Sequence, residues 1–404
     1  MSFLSKRWVP FFVLGYLFAV SVGCTSGTSA GRETHHEGPA VTVHDKGHYP
    51  FLGVNFNEHS DSINFRDLAR IHTKWARAFI EFFRLYPDTV ALMHDARVNG
   101  YCRLRDSGYH TILNIKWNFH DRDFPRPGSS EMKRYEAYLS KLLDRVWSKT
   151  DIVVVGNEPF IETKASQSGA PLVAFYKAVS RFINRYEQSG SRRQIPLFMG
   201  AFNNLYLKDW RTPAVRTLLR FARETPWIAG VDIHVHHGNM DQMRSSLDYV
   251  KAAIRDSQRI LITEFSLVKY FQTKMNHSIP AAFAGRYGFP GDTKNYAFIN
   301  DAIHHPVPRN EWVDFLKNSD WFEAHKGYLH TCYRMFKTCK KVMVATYCMR
   351  QQWRSGRNFT LRQKPWILNG IMAPVTVRPD SSGQTPFNYA WCRDFLAIQE
   401  GKFD

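Results

Sequence analysis

Cysteine is scarce in this chain of 404 residues, and no cysteine stands at a spacing from histidine that a zinc site uses. The six cysteines therefore imply no metal, and no cofactor is predicted. Five of them follow the N-terminal segment, so at most two disulfides can form, and the sequence leaves their pairing open. Cys332 and Cys339 are separated by about 10 Å along one helical stretch, which is too far for a bridge.

Acidic residues are also few. The chain has 36 Asp and Glu against 54 Lys and Arg, which gives a formal net charge of +18. Such an excess is typical of proteins that meet nucleic acid, an anionic membrane surface or an acidic polymer. No helix-turn-helix, zinc-finger or RNA-binding pattern accompanies it, so nucleic acid is not the predicted partner. Two interpretations stay open, a solvated basic surface and an acidic or sulfated substrate.

The N-terminal region lacks an apolar run that would span a membrane comfortably. Its longest run covers residues 8–22, which is short of the roughly 20 residues that a spanning helix needs. The run follows Lys6 and Arg7 and ends just before Cys24. This order of basic, apolar and small residues predicts an export signal over residues 1–23.

The end of this signal resembles that of a bacterial lipoprotein, in which Cys24 would be lipidated and become the mature N-terminus. Ser21 departs from that pattern, since such signals prefer leucine there. Plain secretion and an uncleaved anchor are the alternatives. Residues 24–45 are small, polar and aperiodic, which predicts a flexible tether. We therefore expect an exported protein, either a lipoprotein on the outer face of a membrane or a secreted or periplasmic form.

Residues 46–404 alternate short apolar runs with longer amphipathic stretches, and no linker, repeat or low-complexity segment interrupts them. This alternation indicates βα units and a parallel sheet. The candidate strands cover residues 51–56, 75–80, 110–117, 151–157, 196–202, 230–236, 259–265 and 341–348.

Eight strand–helix units in one chain predict a single (β/α)8 barrel over residues 46–404. Long loops are expected after strand seven (266–308) and strand eight (349–386), on the face where barrel enzymes build their active sites. A doubly wound open sheet is the alternative. It usually binds a nucleotide at a Gly-rich first turn, and no such turn follows the first strand.

Two of the eight candidate strands end in glutamate. Asn157 and Glu158 follow strand four, and Glu264 ends strand seven. Strands four and seven lie on opposite sides of a closed barrel, so the two carboxyls should converge on one cavity. Such a pair suits the cleavage of a glycosidic bond, because one carboxylic acid protonates the leaving oxygen while the other carboxylate attacks the anomeric carbon. The simpler interpretations are a helix start at Glu264 and a turn closed by Pro159.

With these motifs the chain resembles the clan A glycoside hydrolases, which are (β/α)8 enzymes that retain anomeric configuration. Families 5 and 39 are nearest in motif, and no family within the clan is assigned. The resemblance implies that Glu158 is the acid/base, that Glu264 is the nucleophile and that Asn157 contacts the sugar 2-hydroxyl.

The resemblance extends to four more residues. Arg77 matches an arginine that many clan members have beside the nucleophile, and Trp353 matches an aromatic platform for a sugar ring. His234 and His236 stand where several families have His-x-Tyr, so histidine replaces tyrosine at position 236. A histidine there can donate the same hydrogen bond to the nucleophile, and it can also titrate.

Weaker candidates lie at other strand ends. Trp117 is predicted to form a substrate wall, with barrel-rim packing as the alternative. Asn203 is predicted to bind sugar hydroxyls, with a simple turn as the alternative. Trp366, in the loop after strand eight, is a candidate for a further sugar subsite.

The sequence thus predicts an extracytoplasmic retaining glycoside hydrolase that cleaves β-glycosidic bonds in an oligo- or polysaccharide by double displacement. Two alternatives stay open. One is a transglycosylase with the same two glutamates, and the other is a non-catalytic carbohydrate-binding lipoprotein.

Overall fold

Eight parallel strands form the centre of the structure, a computed structural model that describes residues 50–353 and 356–402. The strands are β1 (Phe51–Asn55), β2 (Trp75–Glu81), β3 (His110–Lys116), β4 (Ile152–Val154), β5 (Leu197–Asn203), β6 (Ile228–His236), β7 (Arg259–Ser266) and β8 (Val342–Cys348). They pair in chain order, and β8 pairs with β1. The sheet is therefore a closed barrel, which confirms the predicted (β/α)8 fold and excludes the open sheet.

Helices surround this barrel. They are α1 (Phe65–Arg70), α2 (Thr89–His94), α3 (Ala96–Asp106), α4 (Ser130–Val146), α5 (Ala170–Gln188), α6 (Pro213–Glu224), α7 (Met240–Ala253), α8 (Val268–Lys274), α9 (Ala281–Tyr287), α10 (Asn295–His304), α11 (Arg309–Asn318), α12 (Asp320–Glu323), α13 (Tyr328–Cys339) and α14 (Tyr389–Gln399). In α4, the Ser129 side chain accepts a hydrogen bond from the backbone N–H of Met132 and so caps the helix. The buried stripe of α4, which includes Leu139 and Leu142, packs toward the core.

The inside of the barrel changes from apolar to polar along the strands. Trp75, Ile112 and Leu261 belong to one buried apolar cluster contributed by several strands. Side chains two residues apart share a face of a strand, so Arg77 and Asn114 continue the inward faces of β2 and β3. Both are fully buried. A polar layer therefore rests on an apolar base, just below the carboxyl ends of the strands.

Two segments differ from the sequence prediction. Residues 266–308, expected to be a loop, contain α8, α9 and α10. These helices have aromatic contacts of their own, with the ring centroids of Phe283 and Phe298 5.0 Å apart. The strand β4 ends before the predicted residue 157, close to Gly156. A Cβ atom on Gly156 would lie 2.2 Å from the Gly200 carbonyl oxygen, so only glycine fits this approach.

The predictions for the N-terminal segment, namely the signal over 1–23, lipidated Cys24 and the tether over 24–45, lie outside the described residues. Those described belong to one compact unit, Glu37–Asp404. Within the described ranges, no helix is long and apolar enough to cross a membrane. The five cysteines of these ranges have free thiols.

Candidate active site

A pocket of about 340 Å³ opens at the carboxyl ends of the strands, which is the face where barrel enzymes position reactive side chains. The strand register brings Asn203, His234 and Glu264 side by side, because these residues pair across β5, β6 and β7. Asn157 and Glu158 enter from the turn after β4. Except for His234, which is fully buried, all of these side chains line the pocket.

Glu158 and Glu264 face each other across this pocket. One oxygen of each carboxyl lies within 4.8 Å of the other. Retaining glycosidases hold their two carboxyls about 5–5.5 Å apart, whereas inverting enzymes hold them about 6.5–9.5 Å apart to admit a water molecule. The nearest oxygens of the two carboxyls are closer together than that inverting span.

Arg77 holds Glu264 in its ionised form. The Arg77 side chain is completely buried, and Nη1 donates a hydrogen bond to Glu264 Oε1 at 2.7 Å. The same guanidinium donates to Asn55 Oδ1 (3.0 Å), Asn114 Oδ1 (2.9 Å) and Asn157 Oδ1 (2.5 Å). Burial raises the pKa of Glu264, but the charges of His234 and Arg77 outweigh it and hold the pKa well below its usual range. Glu264 is thus a carboxylate that can act as a nucleophile.

His234 and Glu158 share a proton position. His234 Nδ1 lies 3.1 Å from Glu158 Oε1, and His234 Nε2 lies 3.0 Å from the Thr263 hydroxyl, which donates to buried Asp232 at 2.6 Å. Burial lowers the pKa of His234, but the charges of Glu264 and Glu158 raise it to a net value above the usual one. Burial likewise raises the pKa of Glu158, and the hydrogen bond and charge of His234 reverse that direction. The pair therefore holds one proton next to the pocket, as a group that gives and takes protons requires.

Two more predicted residues contact the glutamates. Asn203 Nδ2 donates to Glu158 Oε1 at 2.5 Å. His236 Nε2 lies 3.5 Å from Glu264 Oε2, while His236 Nδ1 lies 2.8 Å from the Ser266 hydroxyl. The imidazole of His236 thus lies between Glu264 and Ser266.

The structure corrects the predicted positions of two tryptophans. Trp117 is fully buried under the barrel rim, where Nε1 donates to the Val155 carbonyl at 2.8 Å, so it is a packing residue and not a substrate wall. Trp353 does not line the pocket either, since Nε1 donates to the Arg357 carbonyl and the ring packs on Phe359. Both indoles satisfy their N–H within the protein, and neither is among the residues that line the pocket.

Trp366 is the indole that lines the pocket. Its ring stands edge-to-face with the ring of His236, with centroids 4.7 Å apart. It belongs to a short 3₁₀ turn, Trp366–Leu368, inside the long loop after β8. Because that loop has no periodic pattern, its sequence does not indicate which tryptophan faces inward.

Glu162 is a third carboxyl near the site and was not predicted. Its Oε1 accepts a hydrogen bond from Asn157 Nδ2 at 2.7 Å and lies 3.6 Å from Lys116 Nζ. Its Oε2 is buried and has no hydrogen-bond partner in the described chain. Burial raises the pKa of Glu162 to about 7. Its position four residues after Glu158 is the feature of the sequence that could have indicated it. In the structure the two residues share one turn, in which the Glu162 N–H donates to the Glu158 carbonyl.

The central cluster also has the donor atoms for a metal ion. Glu158, His234, His236 and Glu264 each offer one ligand atom within 4.8 Å of the others, and carboxylate oxygens with imidazole nitrogens are common ligands of divalent transition metals. Arg77 already neutralises Glu264 at 2.7 Å. A cation would therefore add positive charge next to a guanidinium, which disfavours a resident metal here.

Comparisons with known proteins find structural likeness only. No family model matches the chain, and no curated protein matches it. A β-glucosidase from Exiguobacterium marinum superposes with a TM-score of 0.50 at 8% identity, over 89% of this chain and 100% of that one.

Two other solved structures are similar at 11% identity over 87% of this chain. They are a glucosidase from Croceicoccus marinus (TM-score 0.47, 67% of its length) and a family 39 glycoside hydrolase from the gut symbiont Bacteroides cellulosilyticus WH2 (TM-score 0.48, 64% of its length). All three proteins are glycosidases. At these identities the likeness is one of fold.

Proposed function

We propose that the protein is a retaining glycoside hydrolase that cleaves β-glycosidic bonds by double displacement. The observation that carries the proposal is the pair Glu158 and Glu264. Their nearest carboxyl oxygens lie within 4.8 Å of each other in a pocket at the mouth of the barrel. The glycosidase fold that the chain shares with the β-glucosidase supports it.

In the first step Glu264 attacks the anomeric carbon while Glu158 passes the proton that it shares with His234 to the departing glycosidic oxygen. The bond to the leaving sugar breaks, and a glycosyl ester forms on Glu264. In the second step Glu158 takes a proton from water, and the resulting hydroxide displaces the ester and frees Glu264. Arg77 and His236 stabilise the carboxylate of Glu264 at the start and at the end of this cycle.

Asn157 and His234 orient the two reactive groups. Asn157 is held by Arg77 on its oxygen and by Glu162 on its nitrogen, which fixes the amide that would contact a sugar 2-hydroxyl. His234 contacts Glu158 and accompanies its changes of protonation. A fixed geometry lowers the entropic part of the barrier.

The test is a screen of the purified protein against a panel of oligo- and polysaccharides with product sizing. On any substrate found, Glu158→Gln should lower kcat about 10²–10⁴-fold, and Glu264→Gln should lower it on the order of 10⁴-fold or more. Sodium azide should restore turnover of an activated aryl glycoside only in the Glu158→Ala and Glu264→Ala variants. Hydrolysis that survives both Gln substitutions contradicts the proposal.

The same screen separates the two alternatives. Added acceptor sugar that diverts most product into longer chains indicates transglycosylation, and binding without turnover across the panel indicates a carbohydrate receptor.

We also propose that the protein is exported and is anchored through a lipid on Cys24. The basic and apolar residues before Cys24 support this proposal. Cys24→Ala should move the protein from the membrane fraction to the soluble fraction of the expressing cells. An unchanged distribution contradicts the lipid anchor.

A further inference from the structure

Two lysines on one side of the pocket have no acidic partner. Lys269 Nζ donates to Asn204 Oδ1 at 2.7 Å and to the Tyr206 hydroxyl, both of which are neutral. Lys364 Nζ lies 5.7 Å from the centroid of the Trp366 ring. Within the described ranges neither lysine has a carboxylate within salt-bridge distance. The third lysine of the pocket, Lys116, differs because it lies 3.6 Å from Glu162.

These two ammonium groups disfavour each other. Lys269 is partly buried. Burial, followed by the charge of Lys364, lowers the pKa of Lys269. A partly desolvated cation beside a second cation is costly unless an anion compensates it. Since no carboxylate of the described residues lies within salt-bridge distance of either lysine, an anionic group that enters the pocket would gain both interactions.

The two lysines line the same pocket as Trp366 and the two glutamates. Lys364 stands beside Trp366, and the Trp366 ring contacts His236, which reaches Glu264. Lys269 is held by Asn204, the residue after Asn203, whose amide donates to Glu158. A sugar that packs against the Trp366 indole would therefore lie in the same pocket as both lysines and both glutamates.

We propose that Lys269 and Lys364 bind an anionic substituent, a carboxylate or a sulfate ester, on the sugar that stacks on Trp366. The substrate of the hydrolase is then an acidic glycan. This inference rests on the proposed function, and it ties the chain's basic excess to two named side chains.

The experiment measures binding to short oligosaccharides by calorimetry at near-physiological salt. The full chain carries Glu264→Gln so that ligands are not turned over. The probes are carboxymethylated and sulfated cello-oligosaccharides, each compared with the unsubstituted cello-oligosaccharide of the same length. The carboxylate and sulfate arms report which anion the site takes.

Two double variants are compared in that background. Lys269→Gln with Lys364→Gln changes the pocket. Lys133→Gln with Lys141→Gln removes the same charge from exposed positions of α4. Lys364→Gln alone serves as a third variant, because this side chain is exposed and its replacement leaves the packing intact. Thermal unfolding of each variant verifies that it is folded.

We expect at least one charged probe to bind about tenfold or more tightly than its neutral parent. The double variant Lys269→Gln/Lys364→Gln should lose most of this preference, and Lys364→Gln alone should lose part of it. The control Lys133→Gln/Lys141→Gln should keep the preference within about twofold of its original size. Equal losses in both double variants, or no preference for any charged probe, overturn the proposal.

The two proposals fail in different ways. A protein that hydrolyses glycans but binds no charged probe more tightly than its neutral parent is a hydrolase without the anion subsite. A protein that binds the charged probes through the two lysines but cleaves no glycan has the anion subsite and is not a hydrolase.

Discussion

Arg77 connects four parts of the site at the scale of single residues. Its guanidinium contacts the nucleophile candidate Glu264 and the oxygens of Asn55, Asn114 and Asn157. A buried arginine is stable only with such compensation, and removing it leaves the partner carboxylate uncompensated. Arg77 therefore has a structural and an electrostatic role at once.

We predict that Arg77→Met lowers the free energy of unfolding by about 3–5 kcal/mol and raises the pKa of Glu264. The acid limb of the pH–rate profile should move to higher pH in the variant. The matched control is Arg84→Met, since Arg84 pairs with Asp95 at 2.7 Å outside the pocket and is partly exposed. Arg84→Met should lower the free energy of unfolding by less than Arg77→Met does, and it should leave the pH–rate profile unchanged. An unshifted acid limb in Arg77→Met would show that Arg77 does not keep Glu264 ionised.

Glu162 gives the fold a dependence on pH. Its pKa is about 7 in the folded protein against an ordinary value of 4.5, so the folded state binds this proton more tightly than the unfolded chain does. Its contribution to stability is therefore complete below about pH 4.5 and is lost as the pH rises through about 7.

We predict that Glu162→Gln has nearly wild-type stability at about pH 5 and is more stable than wild type at about pH 8, by on the order of 3 kcal/mol. Chemical denaturation at the two pH values measures this difference. Glu224→Gln replaces an exposed carboxylate and serves as the control. If the difference in free energy of unfolding between wild type and Glu162→Gln is the same at both pH values, the prediction is contradicted.

We predict opposite effects on KM for substitutions of the two tryptophans after β8. Trp366 lines the pocket, whereas Trp353 packs outside it. Trp366→Ala should raise KM by roughly threefold to tenfold through the loss of sugar stacking, while Trp353→Ala should leave KM unchanged. Steady-state kinetics on the best substrate decides between them. The reverse pattern would favour the original assignment of the platform to Trp353.

At the scale of elements, close contacts between neighbouring strands depend on glycine. A Cβ on Gly230 of β6 would lie 1.9 Å from the Arg259 carbonyl oxygen of β7. The two strands carry His234 and Glu264 in register. A shift between them would therefore disturb the site as well as the barrel.

We predict that Gly230→Ala lowers the free energy of unfolding by about 1–3 kcal/mol. Gly285→Ala in α9 is the control, because a Cβ there meets nothing within 4 Å. Replacing a helical glycine should stabilise the protein by about 0.5–1 kcal/mol. Thermal unfolding measures both changes. A Gly230→Ala variant as stable as wild type would show that β6 and β7 can accommodate a Cβ atom at this position.

The same scale explains how much of the protein could be predicted from its sequence. Strands of a parallel barrel are buried on both faces and are read as continuous apolar runs, so all eight were found, with β4 too long by the residues near Gly156. The positions of Asn157, Glu158 and Glu264 in the mouth follow from the strand count. Their catalytic roles stay predictions.

The remaining features depend on contacts between distant parts of the chain. Helices α8 and α10 pack through aromatic contacts that a local pattern does not contain, Phe271 with Trp391 and Phe298 with Phe315. The choice of Trp366 over Trp353 depends on how the loop after β8 folds back over His236. The burial that raises the pKa of Glu162 likewise appears only once the chain is folded.

At the scale of the whole molecule, the chain combines a barrel with a strong basic excess. The net charge of +18 creates a field that attracts anions from a distance, while the pocket decides which of them bind. In our proposal, Lys269 and Lys364 are the side chains that bind such an anion in the pocket.

The central claim is that Glu264 becomes covalently bound to a sugar while Glu158 transfers the proton. The most direct test incubates Glu158→Ala with an activated aryl glycoside of the sugar found in the screen, so that the second step is slow, and maps the modified peptide by mass spectrometry. We predict one glycosyl group per protein, attached to Glu264. A label on another residue, or turnover with inversion of the anomeric configuration and no label, would contradict the account.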